Sequence, residues 1–384
     1  MRVLHVITGL NLGGAEVMLH RLVQASRGAE HEVVSLTDLG AVAPRIQKLG
    51  VRTRALHMSR VPNPSPIVRL ARLVRDARPD VVQTWMYHAD VVGGLAAMLA
   101  GHPKVVWGIH NSTLDRTSHR MTRWIVSASA RLSHWLPDRI VSVSRSARDL
   151  HVGMGYDAAR FTVIPNGIDP SEYRRVAAWR REVRAELGVP DSRVLVGVVA
   201  RVHPQKDHGN FIRAAAALSR RRPDVSFVLC GDGTADDPEI AAAIDREGVR
   251  ARFLLLGRRT DVPRVMNALD VLSLSSAFGE AFPLVVAEAM ACEVPCVVTD
   301  LGDCAYLVAD TGRVARPRDP AALARALEAL VDLGEDGRRR MGAAARRRIE
   351  TEFSLARVAE AYEAVYRSLL AGAAGPHVAA APPQ

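Results

Sequence analysis

Two carboxylates, Glu280 and Glu288, stand eight positions apart in the stretch Phe278-Gly279-Glu280-Ala281-Phe282-Pro283-Leu284-Val285-Val286-Ala287-Glu288. Pro283 between them predicts a helix start, because proline is favoured at a helix's first position, where the N–H has no intrahelical partner. The free backbone N–H groups of such a first turn form an anion site. Glu280 then falls in the loop before the helix, and Glu288 just over one turn inside it. Such a device holds a phosphate on backbone amides while two acids grip hydroxyls on either side. A sugar nucleotide has that shape: hydroxylated sugar, diphosphate, hydroxylated ribose.

A second charged segment follows the apolar run 194–200: Arg201-Val202-His203-Pro204-Gln205-Lys206-Asp207. Strand ends in open α/β sheets are where ligands bind. Lysine occurs only at 48, 104 and 206 in a chain that otherwise uses arginine. A compact ammonium at Lys206 fits contact with phosphate as a point charge; an exposed loop lysine is the competing reading. Departure of a nucleoside diphosphate builds negative charge on oxygen. Many transferases neutralise it with a divalent metal held by an Asp-x-Asp triplet, and the sequence contains no such triplet. Arg201, Lys206 and the helix amides after Glu280 are the expected substitutes, with no metal.

The first apolar run, 3–8, leads into Gly9-Leu10-Asn11-Leu12-Gly13-Gly14-Ala15-Glu16. A glycine-rich turn between strand and helix lets the backbone approach a ligand. The glycine order is not the dinucleotide pattern G-x-G-x-x-G, so Asp38 is not read as a ribose-binding acid. A tight turn alone explains Gly9, but less readily the pair Gly13-Gly14. His110 ends the run 105–109, where it is either structural or a contact to a sugar hydroxyl or moving proton. His88, after Trp85-Met86-Tyr87, is read in the same way.

These residues need elements to hold them. Candidate strands lie at 3–8, 32–37, 80–84, 105–109, 140–143 and 161–164, then at 194–200, 226–230, 253–256, 271–274 and 295–299. Helical patterns such as 16–26, 210–220 and 321–330 lie between most of them. The alternation implies βαβ units and parallel sheets covered on both faces. Two arrays in series imply two doubly wound α/β domains, with a junction at Ile164-Pro165-Asn166-Gly167-Ile168-Asp169-Pro170, where turn formers cluster.

The chain has 384 residues, 48% of them hydrophobic, enough for two packed cores. The four cysteines show no zinc-like spacing and are read as reduced thiols of a cytoplasmic protein. Asn11 and Glu16 interrupt the first apolar run too early for a signal peptide. No apolar segment approaches the ~20 residues that span a bilayer. Formal net charge is +10, almost all of it from arginine. Arg338 to Arg340 and Arg346 to Arg348 read as solvated helix faces. No nucleic-acid signature accompanies them, and no nucleic-acid partner is expected.

The chain resembles the family 4 retaining glycosyltransferases, whose GT-B fold has two Rossmann-like doubly wound domains facing across a cleft. The marks are Gly13-Gly14, Arg201 with Lys206, and the Glu280-x7-Glu288 segment followed by Ala289-Met290-Ala291-Cys292. The resemblance implies an acceptor-binding domain at 1–168 and a donor-binding domain at 169–352. A C-terminal helix at 353–372 then packs back towards the first domain, before a disordered tail at 373–384. It implies that Arg201 and Lys206 neutralise the donor diphosphate, with Gly13 and Gly14 also against the donor. Glu280 orients the donor sugar and Glu288 binds the ribose diol. The amides of Phe282, Leu284 and Val285, around Pro283, face the phosphates. Arg258, in the loop 257–262, lies in the base-contacting segment. His110 lies near the transferred sugar. Asp303, Cys304 and Tyr306 depart from the relatives, which carry a glycine pair and then an acid there.

The donor is then a UDP- or GDP-linked sugar, with no prosthetic group or metal. Retention follows from same-face attack, in which the acceptor hydroxyl gives its proton to the leaving phosphate oxygen. The expected acceptor is a glycolipid or polyprenyl-linked saccharide of cell-surface polysaccharide assembly. The segment from Arg116 to Trp135 reads as a basic amphipathic helix, with Met121, Ile125, Ala128, Leu132 and Trp135 on one stripe and Arg116, Arg120, Arg123 and Arg131 outside it. It either packs ordinarily or touches anionic headgroups, which would make the protein peripheral on the inner face of the plasma membrane. Transfer to a soluble small molecule is the alternative. A sugar-nucleotide epimerase and a silent sugar-nucleotide binding module fit the charged set less well.

Overall fold

Short β-branched runs separated by helices form parallel strands joined by crossovers, with the helices covering both faces of the sheet. The structure, a computed structural model that describes residues 1–59, 64–111 and 120–372, has this architecture twice. Two compact units divide the chain: Met1–Gly167 with the segment from Leu355 onward, and Ile168–Ser354.

The first unit carries β1 (Arg2–Ile7), β2 (Glu30–Ser35), β3 (Arg52–Ala55), β4 (Val81–Trp85), β5 (Lys104–Ile109), β6 (Arg139–Ser142) and β7 (Phe161–Val163). They form one parallel sheet in the order β3-β2-β1-β4-β5-β6-β7. One face packs Val3, Ile7 and Trp85 against Met18, Leu19 and Leu22 of helix Gly14–Ala25 and against helix Leu355–Leu370. The other packs Leu4, Val6, Val82 and Trp107 against Leu70, Val74, Ala96 and Ala97. Helix Leu355–Leu370 buries Val358, Tyr362, Val365, Tyr366 and Leu369, each contributing on the order of 1.5–3 kcal/mol. Its Glu363 carboxylate accepts from Ser26 Oγ, Arg27 N and Gly28 N at 2.7, 3.1 and 2.9 Å. Tyr366 Oη donates to the buried Gln83 Oε1 at 3.0 Å.

The second unit carries β8 (Val194–Val199), β9 (Val225–Cys230), β10 (Phe253–Gly257), β11 (Val271–Leu274), β12 (Cys296–Thr299) and β13 (Gly312–Ala315), in the parallel order β10-β9-β8-β11-β12-β13. Phe211, Phe227 and Phe253 stack and cross at the centre of its core. The loops after all of these strands leave from one edge of the sheet. That edge positions the site.

The structure departs from the sequence reading at three places. β3 and β13 were not expected; both are edge strands, and Arg-Thr-Arg-Ala and Gly-Arg-Val-Ala carry too few apolar residues to read as core runs. Pro283 is not the first helical residue. It stands just before helix Leu284–Ala291, at φ −74° and ψ 107°, extended rather than helical. The arginine triplets are not simply solvated. Arg338 is buried and donates to Val331 O at 2.9 Å. Arg346 donates to Ala291 O at 2.6 Å, and Arg348 to Tyr306 O at 2.8 Å beneath the Tyr306 and Phe353 rings. Arg339, Arg340 and Arg347 are exposed. A guanidinium carries five donors and can satisfy carbonyls at helix ends and loops, a role that composition does not reveal.

Candidate active site

Two loops at the edge of the second sheet are clamped together. After β8, Pro204–Lys206 makes a single helical turn capped by His203, whose ring accepts from Gln205 N at 3.2 Å. Asp207 takes a left-handed conformation (φ 47°) and accepts from Asn210 N at 3.1 Å, opening helix His208–Ser219. After β11, Ser275 Oγ donates to Lys206 O at 2.9 Å, and Ala277 N donates to Gln205 O at 2.8 Å. Gln205 Nε2 donates to Gly279 O at 2.8 Å. The backbone of Lys206 is thereby locked to the loop that carries Glu280.

The side chains meet as well. Lys206 Nζ lies 2.6 Å from Glu280 Oε1, and Ser276 Oγ donates to the same oxygen at 2.6 Å. Glu280 is 6% exposed. Beyond it, Phe282 packs on Phe353 with centroids 5.3 Å apart, fixing the approach to helix Leu284–Ala291. Val286 N and Ala287 N already bond to Pro283 O. The amides of Leu284 and Val285, in the first turn, have no intrahelical acceptor. Glu288 lies one turn further along the same helix, partly buried.

Gly302 holds the other side of this loop. At φ +55° it is left-handed, and a Cβ there would sit 1.9 Å from Glu280 O. Asp303 N donates to Ala281 O at 3.0 Å. The departing segment Asp303, Cys304 and Tyr306 therefore supports the Glu280 loop through its backbone. Cys304 is fully buried, and its thiol is pushed far up by burial and by Glu280.

The turn after β9, Gly231-Asp232-Gly233-Thr234, ties three strand ends. Gly231 N donates to Gly257 O at 2.8 Å, Val202 N to Asp232 O at 2.8 Å, and Gly257 N to Thr234 Oγ1 at 3.1 Å. A Cβ on Gly231 would lie 2.2 Å from Ala200 O. Arg259 is committed to Asp261 and Glu186. Arg201 and Arg258 are exposed and make no ion pair among the described residues.

The remaining sequence candidates lie in the first unit. Gly13 precedes helix Gly14–Ala25 in extended conformation, and neither Gly13 nor Gly14 has a positive φ. A Cβ on Gly13 would meet Glu16 Oε2 at 2.3 Å, whereas one on Gly14 would meet nothing within 4 Å. The Glu16 carboxyl folds back over the helix start, and burial raises its pKa. His110 follows β5, stacked on Trp85 with centroids 4.9 Å apart. Its Nε2 is buried with no hydrogen bond among the described residues, and burial pushes the ring down to about 4. Trp85 Nε1 donates to His5 Nδ1 at 3.2 Å, and His5 Nε2 faces His31 Nδ1 at 2.9 Å. His88 is likewise lowered by burial.

Ser276, Gln205, Gly302 and the Gly231-to-Thr234 turn were not singled out in the sequence. The Gly-x-Gly after the apolar run 226–230 was a usable signal. Gln205 carried none, because its partner Gly279 lies in a loop 74 residues away; Ser276, four residues before Glu280, reads in the sequence as an ordinary loop serine.

The basic helix is Arg120–Leu132. Residues 112–119, with Arg116, lie outside the described residues, as do the side chains of Arg120 and Met121. Val126, Ser129, Ala130 and Ser133 face inward, with Ile125 and Leu132 partly buried. Trp135 does not share the packed stripe. It is 73% exposed, as is Trp124, and Arg123 and Arg131 are exposed too. The buried face is centred one position along from the expected stripe.

The family models agree with this architecture. One described as Glycosyltransferase Family 4 matches residues 12–172, and one described as Glycosyl transferases group 1 matches residues 193–332. The alpha-maltose-1-phosphate synthase of Mycolicibacterium smegmatis is 30% identical over 76% of this chain and 79% of its own. The Escherichia coli UDP-Gal:alpha-D-GlcNAc-diphosphoundecaprenol alpha-1,3-galactosyltransferase is 27% identical over 65% of each chain, just under two thirds of its length. Anabaena HepE, solved in complex with UDP, superposes with a TM-score of 0.85 at 23% identity over 96% of this chain and all of its own. The fold is GT-B, and the chain belongs to glycosyltransferase family 4.

Proposed function

We propose that this protein transfers a sugar from a nucleotide-diphosphate sugar, with retention and without a metal, to a glycolipid or polyprenyl-linked saccharide. The observation that carries the reading is the Lys206–Glu280 pair, 2.6 Å apart at the head of helix Leu284–Ala291. It sets a cation for phosphate, a carboxylate for sugar hydroxyls and free amides side by side. Arg201 and Arg258 add positive charge at the neighbouring strand ends. Glu288, one turn in, is placed to take the ribose diol.

In this reading the acceptor hydroxyl attacks the anomeric carbon from the face that the diphosphate leaves. The bond from carbon to phosphate oxygen breaks, and the hydroxyl proton passes to that oxygen. Charge on the departing diphosphate is met by Lys206, Arg201 and the amides of Leu284 and Val285, preorganised and needing no rearrangement. A His110 ring held near about 4 is a poor base at neutral pH, because a general base works best near the operating pH. Its neutral imidazole serves better as a hydrogen-bond contact to a sugar hydroxyl, and Gly13 and Gly14 are read as further contacts to the donor.

The galactosyltransferase relative, whose acceptor is a diphosphoundecaprenol saccharide, supports the lipid-linked acceptor, as do the exposed Trp124 and Trp135 beside arginines. The protein then works at the inner face of the membrane. The maltose-1-phosphate synthase relative favours a second reading, transfer to a soluble acceptor. A thermal-shift panel of UDP, GDP and their sugar conjugates tests the donor reading, since a ligand that binds the folded state raises its melting temperature. Lys206→Ala is expected to lower turnover by about 10²–10³ while the protein stays folded. Near-normal turnover in that variant would remove Lys206 from the mechanism.

A further inference from the structure

We propose that Ser276 is a positioning residue for the transferred sugar: it holds Glu280 in place while Lys206 turns to the donor's phosphates. The proposal rests on the donor-site reading above. Both described donors to Glu280, Lys206 Nζ and Ser276 Oγ, meet the same oxygen, Oε1, at 2.6 Å. A carboxylate only 6% exposed needs such donors, because burying a charge without partners is costly. Lys206 cannot serve it alone during the reaction. The ammonium sits on Glu280 in the loop that leads into helix Leu284–Ala291, and a diphosphate seated at that helix start carries two negative charges against the carboxylate's one.

Ser276 has no such competing partner. It is fully buried, and its own carbonyl accepts from Thr299 Oγ1 at 2.9 Å, fixing it to the end of β12. Its hydroxyl stays with Oε1 when the ammonium moves. Oε2 is then the oxygen offered to the sugar, accepting a hydroxyl proton in a hydrogen bond. A preorganised carboxylate of this kind discriminates a sugar nucleotide from the bare nucleotide, whereas Lys206 and the helix amides recognise both.

The experiment compares wild type, Ser276→Ala and Ser276→Cys by calorimetry with UDP, GDP, UDP-glucose and GDP-mannose. Slow hydrolysis of each sugar nucleotide without acceptor reports turnover. Ser276→Ala is expected to bind bare nucleotide within about twofold of wild type. Its preference for the sugar conjugate disappears, and hydrolysis falls about tenfold, the size expected for one hydrogen bond to a charged group. Ser276→Cys, a weaker donor at the same place, falls between. A merely structural role would lower nucleotide and sugar-nucleotide binding together, and that result overturns the proposal. So does a Ser276→Ala protein that keeps wild-type sugar preference and hydrolysis. If wild type binds none of the four ligands, the donor site itself is wrong and this role falls with it; binding by wild type with an unchanged variant removes Ser276 alone.

Discussion

Asp90 sits fully buried in the first turn of helix Tyr87–Leu99, its Oδ1 accepting from Thr84 Oγ1 at 2.5 Å. Burial pushes the carboxyl up to about 7, against hydrogen bonds from Thr84 and the Gly108 amide that pull it down. The unfolded carboxyl ionises near ~3.9. From about pH 4 to about pH 7 the folded protein therefore keeps a proton that the unfolded chain has lost, and this group's contribution falls as pH rises. His31 and His110 act in the opposite sense. Burial holds both at about 4, so the unfolded chain gains protons first as pH falls below ~6.5, and stability is lost downward from there. Asp90→Asn keeps the acceptor for Thr84 and removes the charge. It is expected to melt above wild type near about pH 8, with the gain shrinking near about pH 5, where Asp90 is already protonated. A gain of equal size at both pH values would show that Asp90 is not the group titrating.

Loops, more than helices, set the geometry of the proposed donor edge. Gly302 lies against Glu280 O in a conformation that L side chains rarely adopt, and a Cβ there has 1.9 Å of room. Gly302→Ala is expected to cost about 1–3 kcal/mol of stability through strain at a positive φ. It should also push the Glu280 loop away from Lys206, lowering sugar-nucleotide hydrolysis. Gly14→Ala is the matched control: the added methyl meets nothing within 4 Å, so folding stability should hold. A melting curve for each, with donor hydrolysis alongside, separates the two; a Gly302→Ala protein as stable and active as wild type would contradict the packing. The strands were legible where they are buried on both faces, as β1, β4 and β9 are. Strands β3 and β13 were not, because Arg-Thr-Arg-Ala and Gly-Arg-Val-Ala carry few apolar residues, unlike Phe253–Gly257 at the other edge of the second sheet.

For the whole molecule, the net charge of +10 is only partly a surface property. Arg184, Arg338, Arg346 and Arg348 spend their donors on carbonyls inside the second unit. None of the described helices is long and apolar enough to cross a membrane. The proposed membrane reading rests on exposed Trp124 and Trp135 and exposed Arg123 and Arg131, since at an interface indole rings insert and arginines meet anionic headgroups. Co-sedimentation with vesicles should therefore rise with anionic lipid content and weaken with salt. Trp124→Ser with Trp135→Ser should reduce it without changing nucleotide binding. Sedimentation that ignores both lipid charge and the two tryptophans would leave the soluble-acceptor reading in front.

The sequence by itself determined the doubly wound α/β class, the succession of two parallel arrays and the residue types at the proposed donor edge. Those follow from local apolar periodicity and from short motifs such as Glu280-x7-Glu288, which adjacent residues alone can display. Tertiary structure alone decided that Lys206 and Ser276 share one oxygen of Glu280, that Gly302 supports that loop, and that His110 is a half-buried ring stacked on Trp85. Each depends on chain segments tens of residues apart meeting at atomic distance, and on how much water is left between them. Hydrogen-bond partnership and proton affinity are set by that meeting, and residue order carries no record of it.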